Sequence, residues 1–212
     1  MNEDFWQQRW KENNIAFHQS EANPLLVKYF ESLALTKGDR IFLPLCGKTL
    51  DIAWLLSKGF RVVGVEFADL AIRQLFSELK VTPKISQVDK LVRYSAEGLD
   101  IYVGDFFHLT KELLGKVNAV YDRAALVALP PETRILYTKH LVKITDHAPQ
   151  LLIAYDYDQN AMSGPPFSVP QVEIESHYKN EFHLTRLASL EVQGGLRGQC
   201  PAKENVWELK SI

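Results

Sequence analysis

Apolar and polar positions along the chain fall into two periods, one of helices and one of buried strands. Leu25, Leu26, Tyr29, Phe30 and Leu33 recur at helical spacing behind Asn23 and Pro24, a capping residue and a first-turn proline, and predict a helix. Arg40 to Leu45 is a short apolar run between Lys37-Gly38-Asp39 and Gly47, and Arg61 to Val65 is a second run after Gly59. Both read as buried parallel strands. Between them Leu50, Ala53, Trp54 and Leu55 or Leu56 form a helical face, with Thr49 as candidate N-cap and Gly59 just past its end. The sum is a strand-helix-strand unit.

The alternation continues to the end of the chain. Ala68 to Leu79 reads as helix, Leu91 to Tyr94, Asp100 to Val103 and Val117 to Tyr121 as extended. Pro130-Pro131-Glu132 opens a helix whose apolar face runs Leu136, Tyr137, His140, Leu141 and Ile144, and Leu151 to Tyr155 is the next strand. A loop from Asn160 to Pro170, a helix near Gln171 to Lys179, and extended runs His183 to Val192 and Asn205 to Lys210 follow. The pattern predicts a three-layer α/β sandwich with a mostly parallel sheet and an antiparallel hairpin at its end.

Length and composition narrow this picture. With 212 residues, 46% of them hydrophobic, the chain is expected to fold as one domain, residues 1-212. Its formal charge is -2 and no window forms a basic stripe, so no nucleic-acid partner is expected. The start, Met1-Asn2-Glu3-Asp4-Phe5-Trp6, fits neither a secretory signal nor a transit peptide, and no apolar run approaches membrane-spanning length. Two cysteines, Cys46 and Cys200, suit a reducing cytoplasm. The histidines lack metal-ligand spacing, so no metal is expected. A monomer without membrane attachment is the expected state.

In such sheets ligands bind beyond the carboxyl ends of the strands, so chemistry is sought just after each strand. The first such loop, Pro44-Leu45-Cys46-Gly47-Lys48-Thr49, ends like a P-loop, but Phe42 stands where that motif needs its first glycine. Gly-x-Gly-x-x-Gly is absent as well. A ligand without phosphates fits the loop better, although a lone glycine is more often only a turn. Glu66 ends the second strand, about twenty residues beyond that loop, where a carboxylate accepts ribose hydroxyls; it is equally suited to capping the next helix. Asp105 and Phe106 follow a third strand, where an acid and an aromatic could receive an adenine, though Phe106 alone reads slightly better as core. Arg123 closes an apolar strand and needs a partner, either a ligand or an acid such as Asp122.

Five segments taken in order carry a resemblance: Ala16-Phe17-His18-Gln19, Phe42 to Lys48, Val62 to Glu66, Tyr121 to Ala128, and Gly164-Pro165-Pro166-Phe167. Together they resemble the thiopurine S-methyltransferase family, over nearly the whole chain from Trp6 to about Glu208. The resemblance implies the α/β/α Rossmann-like methyltransferase fold with a seven-stranded sheet, and S-adenosyl-L-methionine as cofactor. It implies that Trp10, Leu45, Gly47, Glu66 and Arg123 contact the cofactor, with Asp105 and Phe106 around its adenine. Residues 1-20 become a lid, with Phe17 and Pro166 as walls of the acceptor pocket.

The expected acceptor is a small aromatic or heterocyclic thiol such as a thiopurine, with selenium and tellurium species as further candidates. A thiol reacts as the thiolate, which Arg123 and, on a weaker correspondence, Arg197 would favour. The segment Gln193 to Glu204 departs from the family pattern, which bears on acceptor specificity. Asp122 is a conceivable general base, more naturally an ion-pair partner. Two other classes remain open from sequence: a nicotinamide-dependent oxidoreductase using Glu66, against which the missing glycines speak, and a non-catalytic cofactor-binding module.

Overall fold

The computed structural model describes residues 3–15 and 18–212, without the side chains of Glu3 and Asp4. The chain divides into two compact units, Met1–Asn118 and Ala119–Ile212.

The first unit contains α1 (Glu3–Lys11), α2 (Pro24–Tyr29), β1 (Arg40–Pro44), α3 (Asp51–Ser57), β2 (Arg61–Glu66), α4 (Asp69–Glu78), β3 (Lys84–Val88), β4 (Leu91–Ala96), β5 (Leu99–Val103) and α5 (Lys111–Leu114). Its strands lie in the order β3-β4-β5-β2-β1. The β1–β2 and β2–β5 pairs are parallel, and β3–β4 and β4–β5 are antiparallel. The parallel strands are apolar because both faces are covered: Ile41, Phe42, Val63, Val65 and Ile101 are fully buried. Asn23 caps α2 as its sequence predicts, its side-chain oxygen accepting from Leu25 N at 2.9 Å and Leu26 N at 3.2 Å.

The second unit contains β6 (Ala119–Arg123), α6 (Pro131–Thr145), β7 (Gln150–Tyr157), α7 (Gln171–Tyr178), β8 (Phe182–Glu191) and β9 (Ala202–Ser211). Its strands lie in the order β6-β7-β9-β8, with β6–β7 parallel and β9 antiparallel to both neighbours. The expected C-terminal hairpin is therefore present.

Three details differ from the sequence pattern. Nine strands occur among the described residues; β3 carries Lys84, Ser86 and Gln87 and lies at an exposed edge, so it never shows the apolar run by which buried strands are read. β6 starts two residues later than Val117, because Asn118 instead brackets Arg40, donating to its carbonyl at 2.7 Å and accepting its N–H at 2.9 Å. On α6 the buried face includes Arg134, Tyr137, Thr138 and Leu141, while Leu136 is 60% exposed. A buried arginine, held by Glu173 and the Leu129 carbonyl, turns the helix away from the face that hydrophobicity alone would choose.

Candidate active site

In the first unit, three parallel strands end level with one another. Pro44 pairs with Val65 and Glu66 with Val103, so the segments that follow β1, β2 and β5 emerge along one edge. Backbone bonds tie these ends together: Cys46 N–H donates to the Val65 carbonyl at 3.1 Å and Gly104 N–H to the Glu66 carbonyl at 2.9 Å. The loop after β1 turns sharply, with Leu45 at φ 47° and Gly47 at φ 52°. For Leu45 that left-handed conformation is strained. Gly47 is a glycine for a second reason: a Cβ there would lie 2.9 Å from Cζ2 of Trp10. Trp10, 4% exposed, packs from α1 onto this turn and onto Ala68 and Ala71 at the start of α4.

Glu66 is buried at the centre of this edge. Its Oε2 accepts from Gly47 N–H at 2.7 Å and its Oε1 from Ala68 N–H at 2.9 Å. Burial raises its carboxyl above the ordinary glutamate range, and the amides of Ala68, Gly47 and Phe67 oppose that rise. The neighbouring Cys46 thiol is driven up by burial and then by the Glu66 charge. Gly64 makes room for that thiol, since a Cβ would come within 2.8 Å of Cys46 Sγ. Lys48 pairs with Glu78 of α4 at 2.6 Å, so the ammonium that gives the loop its P-loop look is committed elsewhere. Asp105 accepts from Phe107 N–H at 3.0 Å through Oδ1 and starts a 3-10 turn. Phe106 is only 1% exposed and belongs to the core, as the plainer reading of its sequence position has it.

The second unit gathers a different set. Arg123 ends β6, half-buried, opposite Ile153 of β7. On β7 and β9, Tyr155 and Glu204 stand directly opposite each other in register. Their side chains interact: burial and then the Glu204 charge raise the Tyr155 hydroxyl to about 12, while Arg123 and Arg197 act in the opposite sense. Glu204 is itself raised by burial and lowered by Arg123. Arg197 lies exposed in the β8–β9 loop with φ 54°. That loop is anchored by Leu196 and Cys200, buried with Tyr157 and Met162. Pro166 is half-buried, and its carbonyl accepts the Tyr157 hydroxyl at 2.6 Å. Asp122 is fully buried; it accepts from the Tyr137 hydroxyl at 2.7 Å and from Leu126 N–H at 3.1 Å, and so braces the turn after β6.

A family model described as thiopurine S-methyltransferase matches residues 1–210. The chain belongs to the thiopurine S-methyltransferase family. It is 50% identical over 211 residues to a thiopurine S-methyltransferase of Xanthobacter autotrophicus, covering 99% of both chains. It is 44% identical to one of Gluconobacter oxydans, covering 98% of this chain and 94% of the relative. Its fold is the Rossmann-like fold of S-adenosylmethionine-dependent methyltransferases. A methyltransferase of this kind from Anabaena variabilis superposes with a TM-score of 0.63 at 15% identity, over 98% of this chain and 95% of the other. One from Methanosarcina mazei superposes at 0.64 and 14% identity, over 91% and 99%. As a member of this family the chain is an S-adenosylmethionine-dependent methyltransferase, and the nicotinamide-dependent reading of Glu66 is not favoured.

The first unit fits that cofactor. Each oxygen of Glu66 accepts a backbone amide, and a carboxylate oxygen has capacity to accept a further donor such as a hydroxyl. Oδ2 of Asp105 is uncommitted among the described residues. The edge offers carboxylates and no phosphate cradle, which suits a cationic nucleoside. Trp10, Leu45, Gly47, Glu66 and Asp105 therefore meet in one place, while Arg123, Pro166 and Arg197 belong to the second unit. Phe17 lies outside the described residues. Tyr155 and Glu204 were missed by the sequence reading; their only signal was a tyrosine ending an apolar strand. Among the described residues no cluster of three His, Cys, Asp or Glu side chains could hold a metal, and no helix is long and apolar enough to cross a membrane.

Proposed function

We propose that this family member methylates the sulfur of thiopurines and other small aromatic or heterocyclic thiols, with selenium and tellurium species as further acceptors. The observation that carries the cofactor half is the buried Glu66 carboxylate, held by Gly47 and Ala68 at the level ends of β1, β2 and β5. When bound, S-adenosylmethionine supplies a methyl group already activated by its sulfonium. The chain's part is to bind and align. Glu66 receives the ribose hydroxyls, Asp105 the adenine amine, and Leu45 and Gly47 line the methionine end.

On the acceptor side, Arg123 and Arg197 hold the sulfur as its anion, and Pro166 walls the ring. Alignment of this kind supplies roughly 7–11 kcal/mol in oriented intramolecular reactions. The N-terminal segment serves as a lid, with Trp10 sealing the turn at Gly47. A small molecule as the acceptor, a monomer, a cytoplasmic location and no nucleic-acid partner agree with the net charge of -2 and the two unpaired cysteines.

The test is turnover of labelled cofactor with a panel of thiopurine, aryl thiol, selenol and tellurite acceptors. Transfer to the thiols is expected, and it falls by about 100-fold or more in Arg123→Ala at unchanged melting temperature. Full turnover in that folded variant would remove Arg123 from the acceptor site.

A further inference from the structure

Arg134 of α6 is a buried cation, 2% exposed, in a stretch of the second unit where four segments converge. Its Nε and Nη2 donate to the two carboxylate oxygens of Glu173 on α7, at 2.6 and 3.0 Å. Its Nη1 donates to the Leu129 carbonyl at 2.9 Å. The guanidinium carbon lies 5.9 Å from the centre of the Phe167 ring. Phe167 is fixed from its other sides: its N–H donates to the Val127 carbonyl at 2.6 Å, and its ring lies so close to Gly164 that a Cβ there would sit 2.6 Å away.

The two carbonyls used, Val127 and Leu129, belong to the short turn that begins immediately after Arg123. The ring used, Phe167, follows Pro166 directly. One buried guanidinium thus ties the turn after Arg123 to the Pro165-Pro166 loop. Burying an ion pair is no efficient way to stabilise a fold, because a well-packed apolar pair of similar volume is often as good or better. What the pair does provide is direction: a planar fork with fixed donors sets its partners at defined angles.

We propose that Arg134, paired with Glu173, is a positioning residue that holds the Arg123 turn and the Pro166 wall at the spacing the acceptor requires. This rests on the reading that Arg123 and Pro166 face the acceptor. The clamp acts on acceptor affinity and leaves the cofactor half, in the first unit, unaffected.

The experiment compares wild type with Arg134→Lys, Phe167→Leu, Pro166→Ala and the double variant Arg134→Leu/Glu173→Leu, which removes the pair without leaving a lone buried charge. Melting temperature, cofactor Kd by calorimetry, and kcat and KM for a thiopurine are measured for each. The double variant is expected to melt close to wild type, to bind cofactor within about twofold, and to raise acceptor KM by roughly tenfold, with Arg134→Lys intermediate. Phe167→Leu is expected to raise acceptor KM by about threefold and decides the matter should the arginine variants fail to fold. Unchanged acceptor KM in the folded double variant, or equal losses in cofactor and acceptor binding, overturns the clamp. If Pro166→Ala leaves acceptor KM unchanged as well, the acceptor-wall reading falls with it; if Pro166→Ala alone raises KM, only the clamp falls.

Discussion

Glu66 and Gly47 are joined by a 2.7 Å hydrogen bond from the Gly47 amide to Oε2 of Glu66, so the carboxylate proposed for the ribose and the loop proposed for the methionine end form one unit. Removing the carboxylate therefore costs more than a ligand contact. Glu66→Ala is expected to weaken cofactor binding by roughly 10- to 100-fold, the worth of one or two charge-assisted hydrogen bonds, and to lower stability by about 1–3 kcal/mol through the stranded amides of Gly47 and Ala68. Calorimetry and denaturant melts check both, and an affinity equal to wild type would take Glu66 out of the cofactor site.

Gly47→Ala addresses the lid. The added Cβ would meet the Trp10 ring at 2.9 Å and impose φ 52° on an L-residue. Trp10 is expected to shift off the turn, visible as a change in tryptophan emission, and stability to fall by about 1–3 kcal/mol. Cofactor affinity should drop with it. An unchanged emission spectrum and unchanged affinity would mean that Trp10 does not seal this loop.

Glu204 tempers the positive charge around Arg123. In Glu204→Gln that restraint is gone and the two arginines act on the sulfur unopposed, so the thiol should ionise more easily in the complex. The acidic limb of the rate profile for a thiol acceptor is expected to move to lower pH. A limb that stays in place, in a variant melting like wild type, would leave Glu204 with a purely structural part in pairing with Tyr155.

Asp122 provides a pH test of the core. Burial raises its carboxyl from 3.8 to about 6 against the hydrogen bonds from Tyr137 and the amides of Leu126 and Ala125. The native state then binds the proton more tightly than the unfolded chain, so this residue's contribution to stability increases as pH falls through 6 and levels off below 3.8. Against Asp122→Asn, wild type should gain about 2 kcal/mol between neutral pH and pH near 4, measured by denaturant melts across that range. A difference between the two proteins that does not vary with pH would contradict the raised carboxyl.

Most of the fold was legible because its physics is local. The Asn23 cap, the apolar runs of β1 and β2, and the C-terminal hairpin are written as spacing and composition within a few residues. The edge strand β3 was not, because a solvated strand needs no apolar signature. Leu136 was read on the wrong side of α6 and Arg134 was not read at all, because a buried arginine is tolerated only when Glu173 and the Leu129 carbonyl arrive from elsewhere. For the site, position after a strand pointed to Leu45, Gly47, Glu66, Asp105 and Arg123. It could not separate Phe106, which went to the core, from a ring that meets a ligand.

What the sequence alone determined is the order of strands and helices, the loops that must lie at their carboxyl ends, and, through an ordered set of motifs, the family. Tertiary structure decided which polar groups are partnered: that Glu66 is fastened to Gly47, that Lys48 is spent on Glu78, that Asp122 is a brace for Tyr137, and that Glu204 meets Tyr155. Periodicity records whether a side chain prefers water. Which donor meets an acceptor depends on residues far away in the chain, 49 positions for Tyr155 and Glu204 and 78 for Arg40 and Asn118, and only the folded register brings them together.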